Sequence, residues 1–115
     1  MKHLKTKVNY GLELTKVNLD EVYLRYPGDK DKPYSSTPRF ETLMEQEIEH
    51  PILVKGKKLY NGGLRVRVAR AKGYTHMDAV VSDDITLLDN LTKIQRKDAS
   101  KFFPFEQLED LERYG

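Results

Sequence analysis

The chain has 115 residues, a length typical of one domain, and its 38% hydrophobic and 33% charged residues are ordinary for a globular protein. It contains no cysteine, which excludes disulfides, thiol nucleophiles and cysteine-ligated zinc. No apolar run is long enough to span a bilayer, and the first residues lack the apolar middle of a signal peptide. These features predict a cytoplasmic protein that makes no contact with a membrane.

The first half of the chain predicts strand, loop and helix. Apolar and polar residues alternate over 12–26, which indicates one or two short strands, with a turn at 18–21 as the alternative to a continuous strand. Residues 27–38, PGDKDKPYSSTP, contain three of the five prolines and predict a loop long enough to be functional. Apolar residues at helical spacing over 40–48 then predict a helix that ends before Pro51.

The segment after Pro51 predicts a hairpin followed by a helix. A buried strand, a lysine-rich turn and a returning strand are expected at 52–54, 55–58 and 59–60. After Gly62 and Gly63 the apolar period changes from two to three or four, with one helical face made of Leu64, Val68 and Ala71. Gly73 is expected to end this helix as its C-cap.

The remaining elements complete an α+β fold, a small mixed β-sheet with flanking helices. A short strand is expected at 79–81, a helix from Ile85 to about Lys97, and a terminal helix over 102–114 after Pro104. We therefore expect a main domain at 1–97 and a C-terminal helical tail at 98–115 that packs on it or extends from it.

Charge along the chain is segregated although the net charge is only +2. No acid occurs from Pro51 to Met77, where the cations are Lys55, Lys57, Lys58, Arg65, Arg67, Arg70 and Lys72. Such segregation suits an anionic partner, either a phosphate-bearing ligand or a nucleic acid. The alternative is a solvated surface whose charge is merely uneven.

The Gly62–Gly63 junction combines backbone freedom with positive charge. Glycine tolerates positive φ and lets backbone N–H groups approach a ligand closely. The helix that follows offers unpaired first-turn N–H groups and a partial positive charge, to which Arg65 and Arg67 add their own. The pattern predicts a phosphate site. A tight turn with solvated arginines explains the same residues without a ligand.

Three segments, in order, resemble the core of the ParB N-terminal domain and sulfiredoxin superfamily. They are HPILV (50–54), KKLYNGGLRVRVARAKGY (57–74) and MDAVVSDD (77–84). LTKVNLDEV (14–22) and FETLMEQEIEH (40–50) resemble the family's first strand and following helix, so the resemblance spans about residues 12–84. It implies a ParB/sulfiredoxin-like fold.

In that family the glycine-arginine box binds nucleotide phosphates: CTP in partition proteins, and ATP in sulfiredoxin and related small-molecule kinases. The resemblance places the box glycine, two box arginines and the small helix residue at Gly62, Arg65, Arg67 and Ala69. Gly63 replaces the box glutamate, and Leu64 replaces an arginine of the box and the cysteine of sulfiredoxin. Sulfinic acid reduction is therefore excluded, because leucine forms no sulfur intermediate.

The resemblance also implies that the loop before the first helix contacts the nucleotide. This loop closes over the nucleotide in the family, so Ser35, Ser36 and Thr37 are expected to contact phosphate or base, with helix capping as the alternative. The expected cofactor is a nucleoside triphosphate with Mg²⁺. No metal-ligating residue is assigned: Asp83, Asp84 and Asp89 are candidates for Mg²⁺ binding, but Asp83 or Asp84 also suits capping of the next helix.

Three functions are compatible with these residues. The first is a stand-alone ParB-like domain that binds nucleotide or DNA phosphates and works in DNA transactions. Weak nuclease activity is part of this first hypothesis. The second is a small NTP-dependent phosphotransferase, whose base would be Glu47, Glu49 or Asp78. The third is a protein-binding module with a decayed nucleotide site that acts through its tail at 98–115. His50 and His76 are further catalytic candidates, with a helix-terminal role as the alternative for His50.

Overall fold

A computed structural model describes residues 2–22 and 38–102 of the chain. Within these ranges five strands and three helices form one small α+β fold with a mixed sheet, as the sequence predicts. The elements are β1 (His3–Leu4), β2 (Thr15–Asn18), α1 (Pro38–Glu45), β3 (Ile52–Lys55), β4 (Lys58–Asn61), α2 (Gly63–Ala71), β5 (His76–Val81) and α3 (Ile85–Phe102).

Strand β5 organises the sheet. It pairs in parallel with β1 and β3 and antiparallel with β2, while β3 and β4 form an antiparallel hairpin. Successive side chains of a strand point to opposite faces, so each central strand contributes to two apolar layers. Ile52 and Ala79 belong to one layer, whereas the next residues, Leu53 and Val80, belong to the other.

Helices cover both faces of the sheet. The larger layer receives apolar side chains from α1 and α2, with Leu64, Val66, Val68 and Ala69 of α2 all buried. The smaller layer receives Leu88 and Leu91 of α3, together with the partly buried side chains of Tyr10, Leu12 and Leu14. Full burial of a leucine or valine side chain contributes about 1.5–3 kcal/mol. This two-sided burial places α2 on one face of the sheet and α3 on the other.

The predicted hairpin and the predicted C-cap are both confirmed. Gly56 turns the hairpin with φ 62°, and Gly73 follows α2 with φ 90°. The Gly73 amide donates to the Arg70 carbonyl at 2.9 Å and the Tyr74 amide donates to the Ala69 carbonyl at 3.0 Å. These two bonds form a Schellman motif and satisfy carbonyls that the helix end leaves unpaired.

Some boundaries differ from the sequence prediction. The turn at 18–21 is the correct alternative, because β2 stops at Asn18 and the Glu21 amide donates back to the Asn18 carbonyl at 3.1 Å. Helix α1 ends at Glu45, where the Gln46 amide donates to the Leu43 carbonyl three residues earlier at 3.2 Å. Ile48 is nevertheless buried.

Two further differences concern the ends of the described ranges. Strand β1 was not predicted, because two residues are too short to show an alternating pattern. Helix α3 runs on to Phe102, so the expected division between residues 97 and 98 falls inside one continuous helix. The predicted terminal helix at 102–114 and the predicted loop at 27–38 lie almost wholly outside the described residues.

Candidate functional site

The N-terminus of α2 requires glycine for both conformation and space. Gly62 precedes the helix with φ 118°, in the left-handed region that residues with a Cβ rarely adopt. A Cβ at this position would lie 2.7 Å from Cγ2 of Ile52 and 3.0 Å from a terminal nitrogen of Arg65. No side chain caps the helix and its first turn contains no acid. The helix therefore begins with a partial positive charge that no anionic group of that turn offsets.

Arg65 lies behind this turn, inside the protein. Only 8% of the residue is exposed. Its guanidinium donates to the carbonyl of Pro51 at 2.6 Å, to the carbonyl of His50 at 3.3 Å and to Oε1 of Gln95 at 2.7 Å. Arg65 thus ties α2 to the start of β3 and to α3, and its charge is enclosed next to Gly62.

The cations at the end of α2 also bind the chain's own oxygens. Arg70 donates to the carbonyl of Leu19 at 2.5 Å and lies 3.3 Å from the carboxylate of Asp20. Lys72 donates to the carbonyl of Gln46 at 2.8 Å. These side chains tie residues 19–20 and Gln46, the residue after α1, to the end of α2.

The hairpin lysines form a separate cationic region. Lys55, Lys57 and Lys58 are exposed at the turn, and β4 carries the chain from there to the glycine junction. At about 3.3 Å per residue, the four residues of β4 separate the two regions by roughly 13 Å. A cavity of about 360 Å³ lies beside the hairpin and is lined by Lys55, Lys58, Leu59, Tyr60 and Asp83. The acid-free block therefore folds into two regions instead of one surface.

A network of polar side chains adjoins the glycine junction, and we call it the junction network. Its members come from five parts of the chain: Tyr10, His50, Asn61, Arg65, Gln95 and Asp98. Gln95 is the central member, because its amide nitrogen donates to the Tyr10 hydroxyl at 2.8 Å and to the Pro51 carbonyl at 2.9 Å. Its amide oxygen accepts from Asn61 at 2.9 Å as well as from Arg65.

Tyr10, His50 and Asp98 form a series within this network. The Tyr10 oxygen lies 2.8 Å from Nδ1 of His50, and Nε2 of His50 lies 2.9 Å from the carboxylate of Asp98. The Tyr10 and His50 rings are stacked, with centroids 5.9 Å apart. Because Gln95 donates to the Tyr10 oxygen, the hydroxyl hydrogen is available for Nδ1. The Nε2 hydrogen then points to Asp98.

The surroundings keep both rings of this series uncharged near neutral pH. Burial lowers the pKa of His50 and the nearby Arg65 charge lowers it further, although Asp98 and Glu49 act in the opposite direction. Burial raises the pKa of the Tyr10 hydroxyl, which the Gln95 hydrogen bond partly offsets. His50 is therefore a proton acceptor and Tyr10 keeps its proton.

The structure brings together only some of the residues that the sequence singles out. Gly62, Gly63 and Arg65 lie at the junction, and Arg67 is partly buried one turn further along α2. Ser35, Ser36 and Thr37 lie outside the described residues. Tyr10, Gln95 and Asp98 were not predicted, because nothing in the local pattern relates residues that are 40 and 85 positions apart.

Three of the other candidate acids have structural partners, namely Asp84, Asp78 and Glu47. Asp84 caps α3, since its carboxylate accepts from the Leu87 amide at 3.2 Å, which confirms the capping alternative for this residue. Asp78 accepts from the Thr6 amide at 3.0 Å and lies 2.7 Å from Nε2 of His3. Exposed Glu47 pairs with Lys7, and this contact lowers the pKa of its carboxyl group.

Comparison with known proteins adds no relative: the chain matches no protein-family model, and no curated protein matches it. Among residues 2–22 and 38–102, no cluster of three or more histidine or acidic side chains could hold a metal ion. None of the helices in these same ranges has the length and apolar character needed to cross a membrane.

Proposed function

We propose that the chain binds phosphate groups of a nucleotide or nucleic acid at the N-terminus of α2, as a cytoplasmic ParB-like domain in DNA transactions. One observation carries the proposal: a nine-residue helix begins on a left-handed glycine, with no side-chain cap and no acid in its first turn. The first N–H groups of a helix have no intrahelical acceptor, and an anion placed there is stabilised by the helix dipole.

Gly63 and Arg67 form the outward side of the proposed site. They are four residues apart on α2, so they lie on the same face of the helix one turn apart. Both are partly exposed. A phosphate that accepts from the Gly63 amide is therefore within reach of the Arg67 side chain.

Arg65 supports this site from behind. Its guanidinium donors are used by carbonyl and amide oxygens of the chain, so we assign it the placement of the turn and a fixed positive charge beneath the phosphate. A charge in a poorly solvated position acts over a longer range than one in water. Its removal is expected to weaken both the fold and the site.

The proposal includes a nucleoside triphosphate with Mg²⁺ as ligand. In this proposal the phosphates and water supply the oxygen ligands of Mg²⁺. Ser35, Ser36 and Thr37, which lie outside the described residues, are proposed as further contacts to the ligand. The tail at 98–115 is proposed as a surface for a protein partner.

Thermal unfolding with ATP, CTP, GTP and a short DNA duplex, each with and without Mg²⁺, tests this function. A ligand at 100 times its Kd stabilises the native state by about 2.7 kcal/mol and raises the melting temperature. Arg67→Gln should reduce this shift, whereas Lys93→Gln, which removes an equal charge from the solvent side of α3, should keep it. Absence of a shift with all four ligands, or equal loss in both variants, would contradict the proposal.

A further inference from the structure

The Tyr10–His50–Asp98 series has the order of a catalytic triad. A hydroxyl lies within hydrogen-bond distance of an imidazole, and the second imidazole nitrogen lies within the same distance of a carboxylate, at 2.8 Å and 2.9 Å. Catalytic triads share one arrangement: a base activates the hydroxyl nucleophile, and a third group orients the base. Phosphate binding at α2 does not require this arrangement.

The backbone at Tyr10 adds an independent observation. Tyr10 is the one residue other than glycine with a positive φ in the described part of the chain, at 57°. Its turn is held by Asn9, whose side-chain oxygen accepts from the Gly11 amide at 2.9 Å and whose carbonyl accepts from the Leu12 amide at 2.9 Å. Unfavourable backbone conformations of this kind occur often at functional sites. Here the conformation places the phenol ring against His50.

The series is also accessible and lies near the proposed phosphate site. The side chains of His50 and Asp98 are 12% and 33% exposed, and Tyr10 is partly exposed. Gln95 joins the Tyr10 hydroxyl to Arg65, and a terminal nitrogen of Arg65 lies against Gly62. One amide and one guanidinium group thus connect the hydroxyl to the start of α2.

We infer that Tyr10 is a nucleophile toward a phosphodiester, with His50 as its general base and Asp98 as the residue that positions His50. The inference rests on the proposed function only for the class of substrate. Charged and titratable groups around His50 are Arg65, Asp98 and Glu49, together with the Tyr10 hydroxyl. Their combined effect leaves His50 in the neutral form that accepts a proton.

The reaction proceeds in two balanced steps. The Tyr10 oxygen forms a bond to phosphorus while the bond from phosphorus to the leaving oxygen breaks, and the hydroxyl proton moves to Nδ1 of His50. Asp98 stabilises the imidazolium, which then gives this proton to the leaving oxygen. Water next attacks the phosphorylated Tyr10 and loses a proton to Nδ1, after which the Tyr10 oxygen departs with that proton. The net change is hydrolysis of one phosphodiester bond.

Bis(4-nitrophenyl) phosphate, an activated phosphodiester, is the probe for this inference. The full chain should release 4-nitrophenolate, and mass spectrometry of acid-quenched protein should place one aryl phosphate group on Tyr10. Tyr10→Phe keeps the stacked ring and should lose at least about 100-fold in rate. Tyr60→Phe is the matched control, because it also removes a hydrogen-bonded tyrosine hydroxyl, here one that donates to the carboxylate of Asp89, and it should react like the parent.

The pH profile separates catalysis by this series from a merely structural role. The rate should fall on the acid side as His50 gains a proton, and Asp98→Asn should move that fall to lower pH while reducing the maximal rate. His50→Gln should remove the acid limb of the profile together with most of the rate. Circular dichroism of each variant establishes that the protein is folded.

Two results would overturn the inference: no nitrophenolate and no adduct from the parent chain, or an unchanged rate in Tyr10→Phe. Failure of the proposed function looks different. If nucleotides and DNA give no thermal shift while Tyr10 is labelled by the aryl phosphodiester, the triad stands and the α2 site does not. If ligands stabilise the protein and no adduct forms, the α2 site stands and the triad does not.

Discussion

Arg65→Ala is the substitution for which the structure gives the most detailed prediction. The change removes the two short hydrogen bonds to the Pro51 carbonyl and the Gln95 amide oxygen, at 2.6 Å and 2.7 Å, and the longer one to the His50 carbonyl. Hydrogen bonds that involve a charged group contribute about 1.5–3 kcal/mol each. The direct sum of the two short bonds is therefore roughly 3–6 kcal/mol.

Two effects reduce this sum. The Pro51 carbonyl still accepts from Gln95, and the Gln95 oxygen still accepts from Asn61, so neither acceptor is left without a partner. The folded parent also carries the desolvation free energy of the enclosed Arg65 charge, and Arg65→Ala removes part of that unfavourable contribution. We therefore expect Arg65→Ala to lower the free energy of unfolding by roughly 2–4 kcal/mol.

Urea denaturation followed by circular dichroism measures this loss. Arg67→Ala is the matched control, because it truncates an arginine of the same helix that is less deeply buried, and we expect it to cost less than about 1 kcal/mol. Arg65→Lys should not restore the parent stability, since one ammonium group cannot reproduce the forked donor geometry. A loss below about 1 kcal/mol for Arg65→Ala would refute the assignment of Arg65 as the anchor of the junction.

Three other predictions concern stability. Gly62→Ala should cost at least about 2 kcal/mol in urea denaturation, because its φ is left-handed and the added Cβ meets Ile52, whereas Gly56→Ala, with open space, should cost less. Asp84→Ala should cost about 1 kcal/mol through loss of the α3 cap, measured in the same way. Because the folded pKa of His50 is lowered, its contribution to stability is present above the ordinary value of 6.5 and is lost as the pH falls toward the folded value. The drop in urea midpoint from pH 7 to pH 5 should therefore be smaller in His50→Gln than in the parent.

The fold was predictable where local signals agree with packing. Three features depend only on neighbouring residues, so the local sequence predicts them: the hairpin around Gly56, the C-cap at Gly73 and the cap of α3. Strand β1 depends on β5, which lies more than seventy residues away, so its two residues show no pattern of their own. The end of α1 is set by a local tightening of the helix that apolar spacing does not reveal.

The candidate site was predictable only in part. The two glycines and the change of period mark the junction, but the sequence predicts Arg65 as a phosphate ligand or a solvated cation, whereas the side chain is buried. A signal for its burial exists, since Arg65 lies three and four positions before the buried Val68 and Ala69 and thus shares their helical face. No such signal predicts that Tyr10 and Gln95 lie at the junction, because their contact depends on how α3 packs on the sheet.

Amide chemical shifts recorded by NMR during a titration test the central claim most directly. The claim is that the first N–H groups of α2 receive a phosphate. With ATP, CTP or short DNA added, we predict that the largest shift changes occur at Gly63 and Leu64, and that Arg67→Gln reduces them. Changes confined to the hairpin lysines at 55–58, or no change at the start of α2 with any of these ligands, would contradict the account.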